Sequence, residues 1–155
     1  MTSEPTPAST PPSAPSPESF RSIELTKIGE ERYKATNVRG GETFFGGGGE
    51  DPDFTPVEAF LASIAACSAV NVDGISGKRA TAEAFTITAS GDRIRDEHGN
   101  HLVNLTVTVD IRFPEGEAGD AARAVLPRAL EQTRNRLCTV SKTVELGEPI
   151  DLRLA

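Results

Sequence analysis

Two cysteines carry whatever redox chemistry this chain can do. Cys67 lies within the apolar stretch FTPVEAFLASIAACSAVNV (residues 54–72), and Cys138 follows 71 positions later, in NRLCTVS. A free cysteine in apolar surroundings ordinarily behaves as a small buried hydrophobe. To act as a reagent it must become a thiolate, which needs a nearby cation or hydrogen-bond donor and a path for substrate. Two such sulfurs permit a two-step cycle. One thiolate attacks a peroxide O–O bond and becomes Cys–SOH, and the other captures it as a disulfide. The residues alone leave Cys67 open to both readings, packing material or reagent.

Other candidates carry less. His98 and His101, with Asp96 and Glu97, flank a hairpin tip that lacks the outer shell needed to orient metal ligands, and they read better as solvated turn residues. Cys67, Cys138 and a histidine match no usual spacing of zinc ligands. The run GGGGEDPD (46–53) lacks the Gly-Lys-Ser/Thr ending of a phosphate loop and reads as a mobile linker. Arg123, Arg128, Arg134 and Arg136 read as a solvated helix face balanced by Asp120 and Glu131. No Ser-His-Asp or paired-carboxylate arrangement stands out. The net charge of -7 opposes binding to phosphate backbones and anionic membranes, so the expected partners are a small molecule or a protein, with no nucleic acid and no membrane.

The elements that must position the cysteines follow from patterning. At 155 residues the chain suits one domain, taken as residues 20–155. The first 19 residues hold six of the 11 prolines and almost nothing apolar, a composition that predicts a disordered tail. That start has no basic segment followed by an apolar one, so the expected location is the cytoplasm, where thiols are kept reduced. FRSIELTKIG, ERYKATNVRG and ETFF predict two or three antiparallel strands. Thr55-Pro56-Val57-Glu58 then supplies a capping box with proline at the first helical position, starting a helix expected to run to about Val72 and to fray or kink beyond it. Its longest apolar run, 59–72, is shorter than the roughly 20 residues a membrane span needs, which makes it a buried helix. Residues 85–95 and 101–113 alternate as a hairpin, 118–137 shows amphipathic helical spacing ending at Cys138, and 150–154 reads as a closing strand.

On the first helix Cys67 shares its face with Phe60, Ser63, Ile64, Val70 and Asn71, while Glu58 falls on the opposite side, where closing the capping box is its best-founded role. The order strands, helix, hairpin, helix, strand predicts an α+β fold. A first helix apolar on nearly every side needs more cover than one small sheet provides, which points to a second subunit.

Three segments carry a resemblance to a known family: RYKATNVRGGETF (32–44), TPVEAFLASIAACSAV (55–70) and RNRLCTVSKTVELGEPIDLRL (134–154). In order and separation they resemble the OsmC/Ohr family of thiol-dependent hydroperoxide reductases and relatives, over residues 20–155. The resemblance implies an intertwined homodimer in which antiparallel sheets wrap paired central helices. It also implies a peroxidase of oxidative stress defence that reduces organic or hydrogen peroxides without a cofactor or metal and is regenerated by a lipoyl-type dithiol. By the same resemblance Cys67 is the peroxidatic cysteine and Cys138 the resolving one, with Arg39, or else Arg32, holding the thiolate. The hydroperoxide reductases carry a glutamate ten positions before the first cysteine, where this chain has Val57. Glu58, at the ninth, is shared with broader OsmC-like proteins and is the carboxylate candidate here. Val57 motivates the alternative, a catalytically weak protein of the same fold that binds a small ligand or senses redox state.

Overall fold

In the computed structural model, which describes residues 17–154, the expected alternation becomes two β units. Most of the proline-rich stretch expected to form a tail lies outside the described residues. Pro17–Ser19 makes one 3-10 turn. Two compact units divide at Asp53.

In the N-terminal unit, β1 (Ile23–Gly29), β2 (Arg32–Asn37) and β3 (Glu42–Phe45) pair antiparallel in sequence order. Asn37 shapes the second turn, its Oδ1 accepting the N–H groups of Arg39 (2.9 Å) and Gly41 (3.1 Å). Gly40 there takes a φ of 81°, which costs a glycine little. The glycine-rich run expected to be a mobile linker is instead tied down. Arg32 donates to both oxygens of Asp51 (2.9 and 3.1 Å) and to Asp53, and Asp51 accepts the Asp53 N–H at 3.0 Å. Two carboxylates converging on one guanidinium fork fix the loop where glycine alone would leave it free.

The C-terminal unit holds α1 (Pro56–Ser76), the hairpin β4 (Ala84–Asp96) and β5 (Gly99–Arg112), α2 (Glu117–Gln132) and α3 (Thr139–Leu146). The capping box forms as expected. Thr55 accepts the Glu58 N–H at 3.3 Å, and the Glu58 carboxylate accepts the Thr55 N–H at 2.8 Å. Its loss in Thr55→Ala is expected to lower stability by about 1 kcal/mol in urea unfolding. The Thr55 N–H, and then its hydroxyl, hold the Glu58 carboxyl below its ordinary value. A depressed acid contributes fully above the unfolded pKa and loses its contribution as pH falls through the folded one. The gap in urea midpoint between the native chain and Glu58→Ala should therefore close below about pH 4.

α1 packs on β4, α2 and α3. Its buried stripe is Ile64, Ser68, Val72 and Ser76, spaced four apart. The two buried serines are tolerated because each hydroxyl donates to the carbonyl four residues back, Ser68 to Ile64 and Ser76 to Val72, both at 2.9 Å. With these bonds made, the helix continues through Gly74 to Ser76, past the expected end at Val72. The opposite face is open, with Ala62, Ala66 and Val70 exposed. By length and composition alone α1 would also suffice to cross a membrane, although its buried serines and packed stripe suit a core helix.

Two expectations fail at the C-terminus. α2 stops at Gln132, short of the helical spacing expected to run to Leu137, a π turn (Thr133–Leu137) follows, and Cys138 caps a further helix. Residues 147–154 form no strand. Gly147, in the left-handed region, ends α3, and Ile150, Leu152 and Leu154 are at least 92% exposed, so the alternating segment finds no sheet edge.

Candidate active site

The two cysteines, far apart in sequence, meet where the middle of α1 faces the start of α3. Both are free thiols, Cys67 half-buried and Cys138 only 1% exposed. Cys138 occupies the N-cap of α3, a position that normally holds Ser, Thr, Asp or Asn. Its sulfur does what an oxygen would do there. It accepts the Ser141 N–H at 3.4 Å and lies 3.1 Å from the Ser141 hydroxyl.

The two thiols are also near enough to shift one another's ionisation, Cys138 raising the pKa of Cys67 and Cys67 lowering that of Cys138. Burial pushes the Cys67 thiol up; the backbone N–H groups of Val140 and Thr139 pull against that, and the neighbouring Cys138 sulfur adds to it. For Cys138 burial also pushes upward but is overcome by the Ser141 hydroxyl and N–H, then Cys67 and Ser68, so its pKa falls below the ordinary thiol value. The donors are those left unpaired at the first turn of a helix, where the dipole favours negative charge. Asn71 completes the surroundings of Cys67, donating to its carbonyl at 2.9 Å and reaching its sulfur at 3.9 Å.

A cavity of about 630 Å³ opens beside Cys138. Its walls are apolar, drawn from α1 (Leu61, Ile64, Val72) and β5 (Leu105, Val107, Val109). Ser68, Thr133 and Ser141 bring polar groups to Cys138, and Arg134 and Glu145 also border the cavity. Arg134 is at the same time exposed, as expected of a solvated residue. Glu145 is held below its ordinary value by the Lys142 hydrogen bond first and the charges of Lys142 and Arg134 after it. The Thr133 hydroxyl is buried without a hydrogen-bond partner, in the π turn whose last bond runs from the Cys138 N–H to the Thr133 carbonyl at 3.1 Å. Such turns recur at functional sites.

Each of the other expected site residues has its own local surroundings. Glu58 is committed to Thr55 at the start of α1, about 13 Å along the helix from Cys67 at 1.5 Å per residue. Arg39 sits in the exposed turn between β2 and β3, in the N-terminal unit. Arg32 is engaged by Asp51 and Asp53. His98 is exposed at the hairpin tip, and His101 lies 3.7 Å from Asp96. Among the described residues no group of three or more His, Cys, Asp or Glu side chains could hold a metal. Sequence reasoning missed Ser141, Ser68 and Thr133. The spacing Cys138-Thr-Val-Ser141 before an amphipathic turn and Gly147 was the available signal, since it is a capping pattern with sulfur in place of oxygen.

The sequence profile of the family described as OsmC-like protein matches residues 47–153, a span that takes in both cysteines and all but the last two residues of the C-terminal unit. The chain belongs to the OsmC-like family. Solved structures share its fold at low identity. An OsmC-like protein of Vibrio cholerae is 15% identical, with 81% of this chain and 94% of that one covered at a TM-score of 0.62. One from Mycoplasma pneumoniae is 14% identical, covering 81% and 87% at 0.65. The organic hydroperoxide resistance protein OhrB of Bacillus subtilis is 17% identical over 74% and 92%, but its TM-score of 0.41 is too low to bear on the activity of this OsmC-like chain. No curated protein matches it in sequence.

Proposed function

We propose that this OsmC-like protein is a cytoplasmic thiol-dependent peroxidase in which Cys67 and Cys138 cycle between dithiol and disulfide, with a dithiol as reductant. The observation that carries the reading is the meeting of the two free sulfurs at the N-terminus of α3, beside a cavity. An isolated pair of core cysteines has no use for hydrogen-bond donors aimed at sulfur. Here the α3 N–H groups and the Ser141 hydroxyl supply stabilisation of the kind a thiolate needs. The apolar walls suit a hydroperoxide bearing a hydrocarbon group, with its O–O end toward the polar residues. A homodimer is part of the proposal. The open apolar face of α1 and the unpaired alternating segment 150–154 both call for a second copy.

The test is oxidation of the purified full chain by cumene hydroperoxide, followed by reduction with dihydrolipoamide. Peroxide consumption that depends on the dithiol is expected, together with a disulfide-linked peptide pair containing Cys67 and Cys138 in the mass spectrum. Unmodified thiols with no peroxide consumed would leave the alternative, a ligand-binding protein that uses the same cavity and keeps its cysteines as packing. The high pKa of Cys67 is the feature that favours this second reading.

A further inference from the structure

We infer that Ser141 is a positioning residue for the disulfide half of the cycle: its hydroxyl, 3.1 Å from the Cys138 sulfur, readies that sulfur to capture oxidised Cys67 and receives it again as the leaving group when the disulfide is opened. The inference rests on the peroxidase reading for its oxidant and keeps Cys67 as the sulfur that meets peroxide. The role of Ser141 itself rests on local geometry.

Cys138 is held on both sides. Its N–H is spent on the Thr133 carbonyl (3.1 Å), and its own carbonyl accepts the Lys142 N–H (3.0 Å), so the sulfur has little freedom to seek other donors. The Ser68 hydroxyl also faces it but is committed to the Ile64 carbonyl at 2.9 Å. Ser141 offers the sulfur two donors, its hydroxyl and its N–H at 3.4 Å. With a thiol, either the sulfur or the hydroxyl can donate. With a thiolate only the hydroxyl can, and such a charge-assisted bond is the stronger one. Burial raises the Cys138 pKa, and the Ser141 hydroxyl and then its N–H carry it below the ordinary value. Other charges near the sulfur are few. Cys67 faces it from α1, Arg134 of the π turn and Glu145 of α3 border the same cavity, and the lining from β4, β5 and α2 carries no titratable side chain.

Burial also decides which sulfur leaves. Cys67 is half-buried and Cys138 only 1% exposed, so an external thiol reaches the disulfide at Cys67 and expels Cys138 toward Ser141. A leaving thiol of lower pKa departs faster. The steps balance. Cys67, oxidised by the peroxide, carries the sulfenic S–O bond. The Cys138 thiolate attacks that sulfur, an S–S bond forms, the S–O bond breaks, and hydroxide leaves to take up a proton as water. A thiolate of the dithiol then attacks Cys67. A mixed S–S bond forms, the protein S–S bond breaks, and its electron pair stays on Cys138. The second thiolate of the reductant displaces Cys67 and closes the reductant's own disulfide, and Cys67 takes up a proton.

The experiment first joins the two cysteines of the full chain with diamide, a thiol oxidant that needs no peroxidase activity. Opening by 2-mercaptoethanol is quenched with acid, and the first mixed disulfide is mapped by mass spectrometry. The adduct is expected on Cys67, with Cys138 free. In Ser141→Ala it should form roughly three- to tenfold more slowly at pH 7, while Ser141→Thr, which keeps the hydroxyl, should stay within about twofold of the native rate. Capture is timed as disulfide formation after one equivalent of cumene hydroperoxide. Ser141→Ala should be slower by a similar factor at pH 7, yet no slower than the native chain above about pH 10, where both thiols are ionised and the more basic sulfur is the better nucleophile. A purely structural defect would persist at high pH. An adduct on Cys138, an alanine variant as fast as the native chain, a threonine variant as slow as the alanine one, a deficit that persists at high pH, or cysteines that diamide cannot join would each overturn the inference. Peroxide left unconsumed by the native chain would end the peroxidase reading alone, since the diamide arm decides the role of Ser141 without it.

Discussion

Cys67→Ser and Cys138→Ser are each expected to bring dithiol-dependent peroxide turnover to the background rate, a loss of at least about a hundredfold, and the double variant should be no worse than either. The expectation does not depend on which sulfur attacks. Without the attacking sulfur no sulfenic acid forms. Without the resolving sulfur one oxidation occurs and the cycle stops short of the disulfide that the dithiol reduces. Residues acting as one unit lose nearly everything with the first removal, so near-additive losses would show that the sulfurs work separately. Serine is close in size to cysteine, and at position 138 its oxygen can still cap α3 by accepting the Ser141 N–H, so the helix end is preserved. Unfolding midpoints near the native value, measured on the same preparations, would tie any loss to chemistry. Native-like turnover in either variant would end the two-cysteine mechanism.

The reach of sequence reasoning can be judged residue by residue. Thr55-Pro56-Val57-Glu58 announced the start of α1 because a capping box is a local device, complete within four residues, and the structure forms both of its hydrogen bonds. The β4–β5 hairpin was legible for the same reason, its alternation being visible at Phe85, Ile87 and Ala89. The face of α1 was less so. The wheel grouped Cys67 with Phe60 and Ile64, but the stripe that packs runs through Ile64, Ser68, Val72 and Ser76, because serine hydroxyls that bond back to their own helix can be buried like small apolar groups. α3 was missed because eight residues carry little periodicity and because sulfur seldom caps a helix. The strand expected at 150–154 had the right alternation and no neighbour; strand formation depends on an available edge, which the segment's own pattern cannot supply. For the site, sequence supplied the two cysteines. The donors around the Cys138 sulfur come from α3, so they became visible only in three dimensions.

Gly119→Ala is the substitution expected to cost the fold most among simple glycine changes, although alanine is the better helix former. Gly119 stands in the first turn of α2, and a Cβ there would lie 1.8 Å from the Pro114 carbonyl oxygen and 2.9 Å from its carbon. Both atoms are backbone, so neither can swing aside. The start of α2 must back away from the end of β5, where Phe113 is buried and Arg123 donates to the carbonyls of Phe113 (3.0 Å) and Pro114 (3.1 Å). Overpacking of this kind costs roughly 1–3 kcal/mol, enough to outweigh the propensity gain of about 1 kcal/mol that alanine brings to an open helical site. Gly74→Ala is the matched control. It too is helical, but its Cβ would meet nothing within 4 Å, so only the propensity gain remains and stability should rise by roughly 0.5–1 kcal/mol. Urea unfolding of the two variants beside the native chain should shift the midpoints in opposite directions. A Gly119→Ala midpoint at or above the native one would mean that α2 does not approach Pro114 this closely. Because α2 leads through the π turn to Cys138, that result would also move the cysteine from the place on which its proposed role depends.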